Sequence, residues 1–245
     1  TAVKNLEKCI GEVGCDIESI VFIGLASAHS TLSETEKELG VVLVDIGAGT
    51  TSMAIFVEGS LAYSSVLPVG ARNITNDLAI GLRTDLDVAE TIKVKYASIS
   101  KVASGEGSLV AKGEEVRFDK EMMREVIEAR VEEILEYVDK EFKRIHRSQK
   151  LPGGVVFVGG TAKLPGLVDF SKETLELPAR VGSWKHIPRV VDGLDEQRFA
   201  PAVGLMLLDM LLGPGQRGMF DEVSAGLFKS VTDPLNSILK RLRRH

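Results

Sequence analysis

The stretch Val41-Val-Leu-Val-Asp-Ile-Gly-Ala-Gly-Thr-Thr-Ser-Met-Ala-Ile-Phe56 constrains this chain more than any other. Four consecutive apolar residues, Val41 to Val44, predict a strand buried on both faces, because a half-exposed strand alternates apolar with polar residues. The run ends at Asp45, and Gly47 and Gly49 follow. A carboxylate at the exit of a buried strand can face a bound cation. The glycines let backbone N–H groups approach phosphate oxygens with no side chain in between. Thr50 and Thr51 add hydroxyl donors, and apolar residues return at Met53, Ile55 and Phe56. The segment therefore predicts two antiparallel strands joined by a phosphate-sized turn. The same residues also suit an ordinary hairpin turn, because Gly and Asp favour turns on conformational grounds alone. The stretch is not a Walker A loop, since it lacks Gly-Lys-Ser/Thr, and it is not a dinucleotide fingerprint.

A second glycine turn more than a hundred residues on adds weight to the phosphate reading. In Val155-Val-Phe-Val-Gly159-Gly160-Thr161-Ala-Lys163-Leu-Pro165-Gly166 another buried-looking strand runs straight into glycines. Gly159 and Gly160 permit close approach of a flat or charged ligand, and Pro165 can start a helix or stiffen the turn. Two strands ending this way can place their loops side by side on one sheet edge. The pair of motifs resembles the second phosphate motif and the adenosine motif of the actin and heat-shock-chaperone ATPase superfamily. Three further stretches are similar to the bacterial cell-division actin homologue family FtsA. They are Leu61 to Gly70, the strings Ile74-Thr-Asn-Asp and Ile80-Gly-Leu-Arg-Thr84, and the helix carrying Glu90 and Lys93. The resemblance runs from about Asn5 to the end. It departs at Ala48 and Ala71, where the family commonly has Gly; Ala is small enough to be tolerated but removes some backbone freedom beside the phosphates.

The resemblance implies an α/β fold: an actin-like (ribonuclease H-like) ATPase lobe, a mixed sheet flanked by helices with an inserted α+β subdomain. It implies ATP and Mg2+ as ligands. Asp45 would hold the metal through water, Gly47, Gly49, Thr50 and Thr51 would contact the β- and γ-phosphates, and Gly159, Gly160 and Thr161 would border the adenosine with Lys163 at its edge. Glu90 and Lys93 would bracket ribose and base, although their i, i+3 spacing also predicts a plain surface salt bridge. The family's first phosphate motif is absent from the sequence, which reads as starting within the first lobe. Phosphoryl transfer depends on positioning and charge stabilisation from both walls of a cleft. Nucleotide binding, with at most weak ATPase activity, is the corresponding expectation.

The expected organisation follows from patterning and the same resemblance. Residues 1–38 close the first lobe, with an amphipathic helix over 2–14, a strand over Ile17 to Leu25 and a short helix over Ala26 to Leu32. Residues 39–72 and 151–212 form the nucleotide-binding wall, in which 199–212 reads as a buried helix. Residues 73–150 form the partner-binding subdomain, with a hairpin over Ser104 to Phe118. Its long helix, about Asp119 to His146, carries apolar residues in a seam of threes and fours and would be roughly 40 Å long. By resemblance this subdomain receives the carboxy-terminal tail of the tubulin-like FtsZ, with Arg130, Lys140, Lys143 and Arg144 as the cations that meet it; each fits a solvated helix face equally well.

Residues 213–233 read as a linker. Beyond it, Leu235, Ile238, Leu239 and Leu242 fall at i, i+3, i+4 and i+7, flanked by Lys240, Arg241, Arg243 and Arg244. An apolar stripe edged by cations suits the headgroup region of an anionic membrane. The family implication is a self-assembling adaptor that tethers FtsZ filaments, peripheral to the cytoplasmic face of the bacterial inner membrane at the division site. The alternatives are a pilus-assembly actin-like ATPase and a sugar- or acetate-kinase-type enzyme of the same superfold. A kinase needs a catalytic base and an acceptor pocket, and has no use for a basic tail.

Composition bounds the rest. The 245 residues are 44% hydrophobic, enough for a well-packed domain or two. A formal charge of −5 gives no reason to expect nucleic acid. No run is long enough to cross a bilayer, and no secretory signal is read at Thr1. The two cysteines, Cys9 and Cys15, match no metal spacing and read as reduced thiols.

Overall fold

A computed structural model describes residues 2–100, 105–111, 114–185 and 193–216. The chain divides into two units, one comprising Thr1–Phe22 with Met206–His245 and the other Ile23–Leu205. The first begins with helix α1 (Ala2–Glu12), matching its amphipathic pattern. The second contains the sheet and both glycine corners.

The expected strand over Ile17 to Leu25 does not form. Residues 15–22 have no regular structure, and Ile23 to Leu25 open helix α2 (Ile23–Thr31). Strand propensity is a fit to a pleated, half-buried surface with a partner. Here Ile17, Ile20 and Ile23 are exposed, while Gly24, Ala26, Ser27, Ala28 and Ser30 give α2 a small-residue surface that is buried. Helix α3 (Glu34–Leu39) follows, started by Ser33, whose Oγ accepts from Glu36 N while the Glu36 carboxylate accepts from Ser33 N. This reciprocal capping satisfies two backbone donors that the first turn would otherwise leave open.

Strands β1 (Val41–Ile46), β2 (Thr51–Val57) and β3 (Ser60–Leu67) form an antiparallel meander, and β6 (Val155–Val158) and β7 (Ala179–Val181) join it in the order β3-β2-β1-β6-β7. All six residues of β1 are buried, as its continuous apolar run predicts, because neighbours cover both edges and both faces. Strand β3 alternates in burial along most of its length and is an edge of this sheet. β1 and β6 are parallel neighbours, with Asp45 opposite Val158. Parallel strands end at the same sheet edge, so the two glycine turns emerge side by side.

Between β3 and β6 lie helices α4 (Ala71–Gly81) and α5 (Leu86–Tyr96), the two-stranded ribbon β4 (Glu106–Ala111) with β5 (Glu114–Asp119), and helix α6 (Lys120–Arg144). Asp119 caps α6, accepting from Glu121 N and Met122 N. Met123, Ile127, Val131, Ile134, Leu135, Val138 and Phe142 are buried along one stripe of this 25-residue helix. Each such side chain contributes roughly 1.5–3 kcal/mol, which holds the insertion to the sheet layer.

A short 3-10 turn (Gly160–Lys163) and helix α7 (Leu167–Leu175) follow β6, and α8 (Ala200–Gln216) comes last. The expected buried helix over 199–212 is only partly so. Ala200, Gly204 and Leu208 are buried, but Leu205, Met206, Met210 and Leu211 are exposed. Gly204 lies against the Ala26 carbonyl, where any Cβ would collide, which explains its identity. The helix runs on to Gln216, past the expected linker start at Gly213. The basic apolar segment 234–245 lies outside the described residues.

Candidate functional site

Both corners open onto one cleft of about 670 Å3. Gly47 and Ala48 line it from the β1–β2 turn; Gly160, Thr161, Lys163, Leu164 and Pro165 line it from the β6 exit. Glu90, Lys93, Val94 and Ala97 line it from α5 and the residue after it. Of the expected nucleotide-site residues, Gly47, Glu90, Lys93, Gly160, Thr161 and Lys163 line this cleft; Asp45, Gly49, Thr50, Thr51 and Gly159 are not among its lining.

Asp45 stands at the joint of the two corners. It is only 7% exposed. A Cβ built on Gly159 would sit 2.5 Å from Asp45 Oδ1 and 2.5 Å from the Ile46 carbonyl. Gly159, at φ +85° and ψ 175°, occupies backbone space open essentially to glycine alone. Burial pushes the Asp45 carboxyl up to about 6; a weak hydrogen bond from Ser27 Oγ, at 3.5 Å, opposes the shift. A carboxylate held in so poor a solvent is suited to a cation that would replace the lost water.

The β1–β2 turn is held by backbone hydrogen bonds. Gly47 N donates to Thr50 O at 3.0 Å, and the first N–H groups of α4, from Ala71 and Arg72, donate to Gly47 O and Ala48 O at 2.9 and 2.7 Å. Gly49 and Thr50 are exposed at its tip. Thr51 differs from expectation in position: it is buried, and its hydroxyl donates to the Val69 carbonyl at 2.9 Å. That hydroxyl fastens β2 to the α4 entry.

Glu90 and Lys93 form the i, i+3 salt bridge that the spacing allows, at 2.6 Å, and do so on the cleft wall. Lys93 Nζ also donates to Thr75 Oγ1 at 2.7 Å and to Ala71 O at 3.2 Å, which keeps its side chain only 14% exposed. Thr75 in turn donates to Glu90 at 2.5 Å. Burial raises the Glu90 carboxyl, but the Lys93 and Thr75 hydrogen bonds outweigh it and hold the group below the usual carboxylate range. Sequence reasoning missed Thr75, a residue one turn into α4 with no pattern of its own.

It also missed Asp195 and Arg198 on the opposite rim. Lys163 pairs with Asp195 at 2.6 Å, and Asp195 and Arg198 both line the cleft. Thr161 Oγ1 is buried there with no partner among the described residues.

The four cations expected to meet a partner differ in their surroundings. Arg130 is half-sequestered, donating through Nε and Nη2 to Asp77 at 2.6 and 3.0 Å and through Nη1 to Glu133, so it ties α6 to α4. Lys140, Lys143 and Arg144 remain exposed near the end of α6, paired with Glu136, Asp139 and Glu141 of the same helix, and Lys140 also lies over the Tyr137 ring. No described helix is long and apolar enough to cross a membrane.

Residues 42–204 match the family model described as Cell division protein FtsA. The chain is 36% identical to Cell division protein FtsA of Pseudomonas aeruginosa over 99% of its own length and 59% of that relative. It is 36% identical to the Bacillus subtilis protein of the same description over 84% of its length and 47% of that relative. The chain thus spans about half the length of the curated relatives it matches. Among solved structures, MreB5 of Spiroplasma citri bound to ADP superimposes with a TM-score of 0.69 at 17% identity, covering 85% of this chain and 65% of that one. The PilM-PilN type IV pilus biogenesis complex gives 0.65 at 19% identity, over 84% and 57%. These likenesses agree on an actin-like fold, with a mixed sheet flanked by helices. On the match over residues 42–204, which covers both glycine corners, the chain belongs to the cell division protein FtsA family.

Proposed function

We propose that this chain binds ATP with Mg2+ as part of an actin-like cell-division protein that assembles with its own copies and links the FtsZ tail to an anionic membrane surface. The observation that carries the nucleotide reading is the meeting of both corners at Asp45, beside a cleft of suitable size. The turn at Ala48 to Thr50 offers backbone donors for phosphates, the Gly47 N–H being engaged by Thr50 O. Lys93 and Glu90, locked by Thr75, offer a donor and an acceptor to the sugar or base. The magnesium ion would sit before Asp45, and the acidic oxygen there would orient its water shell. Support for nucleotide in such a fold comes from the ADP in the MreB5 neighbour.

Calorimetric titration of the purified protein with ATP in magnesium tests this. Lys93→Ala is expected to weaken ATP by about tenfold, the effect of losing one charge-assisted hydrogen bond. Equal affinities for the two proteins would move the site elsewhere.

For the partner role, Lys140, Lys143 and Arg144 are the better placed cations, since Arg130 is engaged inside the chain. For the membrane role, the apolar stripe at Leu235, Ile238, Leu239 and Leu242 with its flanking cations is suited to folding on an anionic surface. Leu239→Glu is expected to abolish co-sedimentation with phosphatidylglycerol vesicles. Undiminished sedimentation would exclude the stripe as the anchor.

A further inference from the structure

The four residues 195–198 are not explained by nucleotide contact alone. Asp195 holds Lys163 at 2.6 Å and accepts from Arg198 N at 3.1 Å. Glu196 accepts from Trp184 N at 3.1 Å. Gln197 accepts through its backbone carbonyl from Gly159 N at 3.0 Å, and its side-chain amide donates to Gly182 O at 2.7 Å. One short segment therefore fastens the cleft's lysine, the second glycine corner and the loop leaving β7. It then enters α8, where Ser30 Oγ donates to Ala200 O at 2.8 Å.

We propose that the Lys163–Asp195 pair is an intramolecular counter-ion latch across the cleft rim, which a bound nucleotide opens, and that residues 195–198 pass the opening to the loop at Trp184. The proposal deepens the nucleotide reading above and rests on it. The electrostatics fix the direction. ATP brings several negative charges into a cleft whose rim already holds the Asp195 carboxylate. Asp195 opposes that charge through the field in the cleft and occupies Lys163, a cation on the adenosine side that is 52% exposed and so within reach of ligand. A ligand that takes Lys163 leaves the Asp195 carboxylate with Arg198 N and so loosens, without releasing, a segment that Gln197 still ties to Gly159 and Gly182. Glu196 and Gln197 are the links through which that loosening reaches Gly182 and Trp184. Trp184 is the chain's single tryptophan, half-buried, with its indole Nε1 enclosed and unpartnered among the described residues. Its emission is therefore sensitive to small shifts of this loop.

The test follows ATP binding to the purified protein by calorimetry and by tryptophan emission together, in magnesium. In the unsubstituted protein, emission is expected to change with the same midpoint as the heat. Asp195→Asn is expected to bind ATP roughly five- to tenfold more tightly and to show a much smaller emission change, since the latch is already open. Lys163→Gln binds more weakly, and adding Asp195→Asn to it gains less than the single change does, because the shared partner is gone. Binding seen in the heat with no change in emission overturns the proposal and leaves the nucleotide reading intact. So does an affinity for Asp195→Asn equal to or below that of the unsubstituted protein. An absence of heat in the unsubstituted protein overturns the nucleotide reading and the latch with it.

Discussion

Gly159→Ala is expected to destabilise the protein by about 3–5 kcal/mol, among the largest effects available to a single methyl group. Two costs combine. Alanine at φ +85° and ψ 175° is held in backbone space that L-residues avoid, at on the order of 1–3 kcal/mol. The new Cβ also meets Asp45 Oδ1 and the Ile46 carbonyl at 2.5 Å, and one of these is main chain inside a fully buried strand, so it cannot yield cheaply. Relief would require β6 to move off β1, which breaks the ladder that sets the two corners together. The neighbouring residue is the control. A Cβ on Gly160 meets nothing within 4 Å, so Gly160→Ala is expected to change stability by less than about 1 kcal/mol. Urea unfolding of the two variants measures the contrast, and matching midpoints would mean that the β1–β6 joint is looser than its geometry.

Asp45→Asn is expected to act in the opposite direction, stabilising the ligand-free protein by up to about 3 kcal/mol at pH 8. The sign follows from the direction of the shift. The folded carboxyl titrates near 6 and the ordinary one at 3.8, so between those values the folded state holds a proton that the unfolded state has lost. Stability therefore falls as pH rises through this window and levels off above it, where the buried charge exerts its full cost. Asparagine keeps the shape and removes the charge. The two proteins should be equally stable near pH 3.5 and diverge steadily to about pH 7. On the nucleotide reading, magnesium with ATP reverses the order, because a divalent cation offsets the charge in Asp45 and finds none in the variant. Parallel pH profiles in thermal melts would show that the carboxylate is better solvated than its burial implies.

Both effects depend on a juxtaposition that the chain's own text only half contains. The continuous apolar runs at Val41 to Val44 and Val155 to Val158, each closing on glycine, were sufficient to read two buried strands with open corners. The stripe from Met123 to Phe142 was sufficient for the long helix. Local period and turn chemistry act over a few residues, and the structure follows them there. Side chains chosen by their chemistry were less legible. Thr51 looked like a phosphate donor, yet its hydroxyl is engaged by Val69 O; Arg130 looked free, yet Asp77 and Glu133 hold it. Asp195 and Arg198 were not singled out at all, because the stretch between β7 and α8 has neither period nor motif, and only folding brings it back to Gly159.

The misread strand over Ile17 to Leu25 shows the same limit from another side, since apolar residues without a partner strand carry no instruction to extend. By itself, then, the amino-acid order determined the buried strands at Val41 to Val44 and Val155 to Val158, the hairpin before the long helix and the long helix itself, and that both of those strands end in glycine corners. Only the tertiary structure decided that those corners meet, through the parallel pairing of Asp45 with Val158, and which hydroxyls and cations stay available to a ligand. The reason is physical: strand pairing across more than a hundred residues and competition for hydrogen-bond partners are non-local, and no local propensity encodes them.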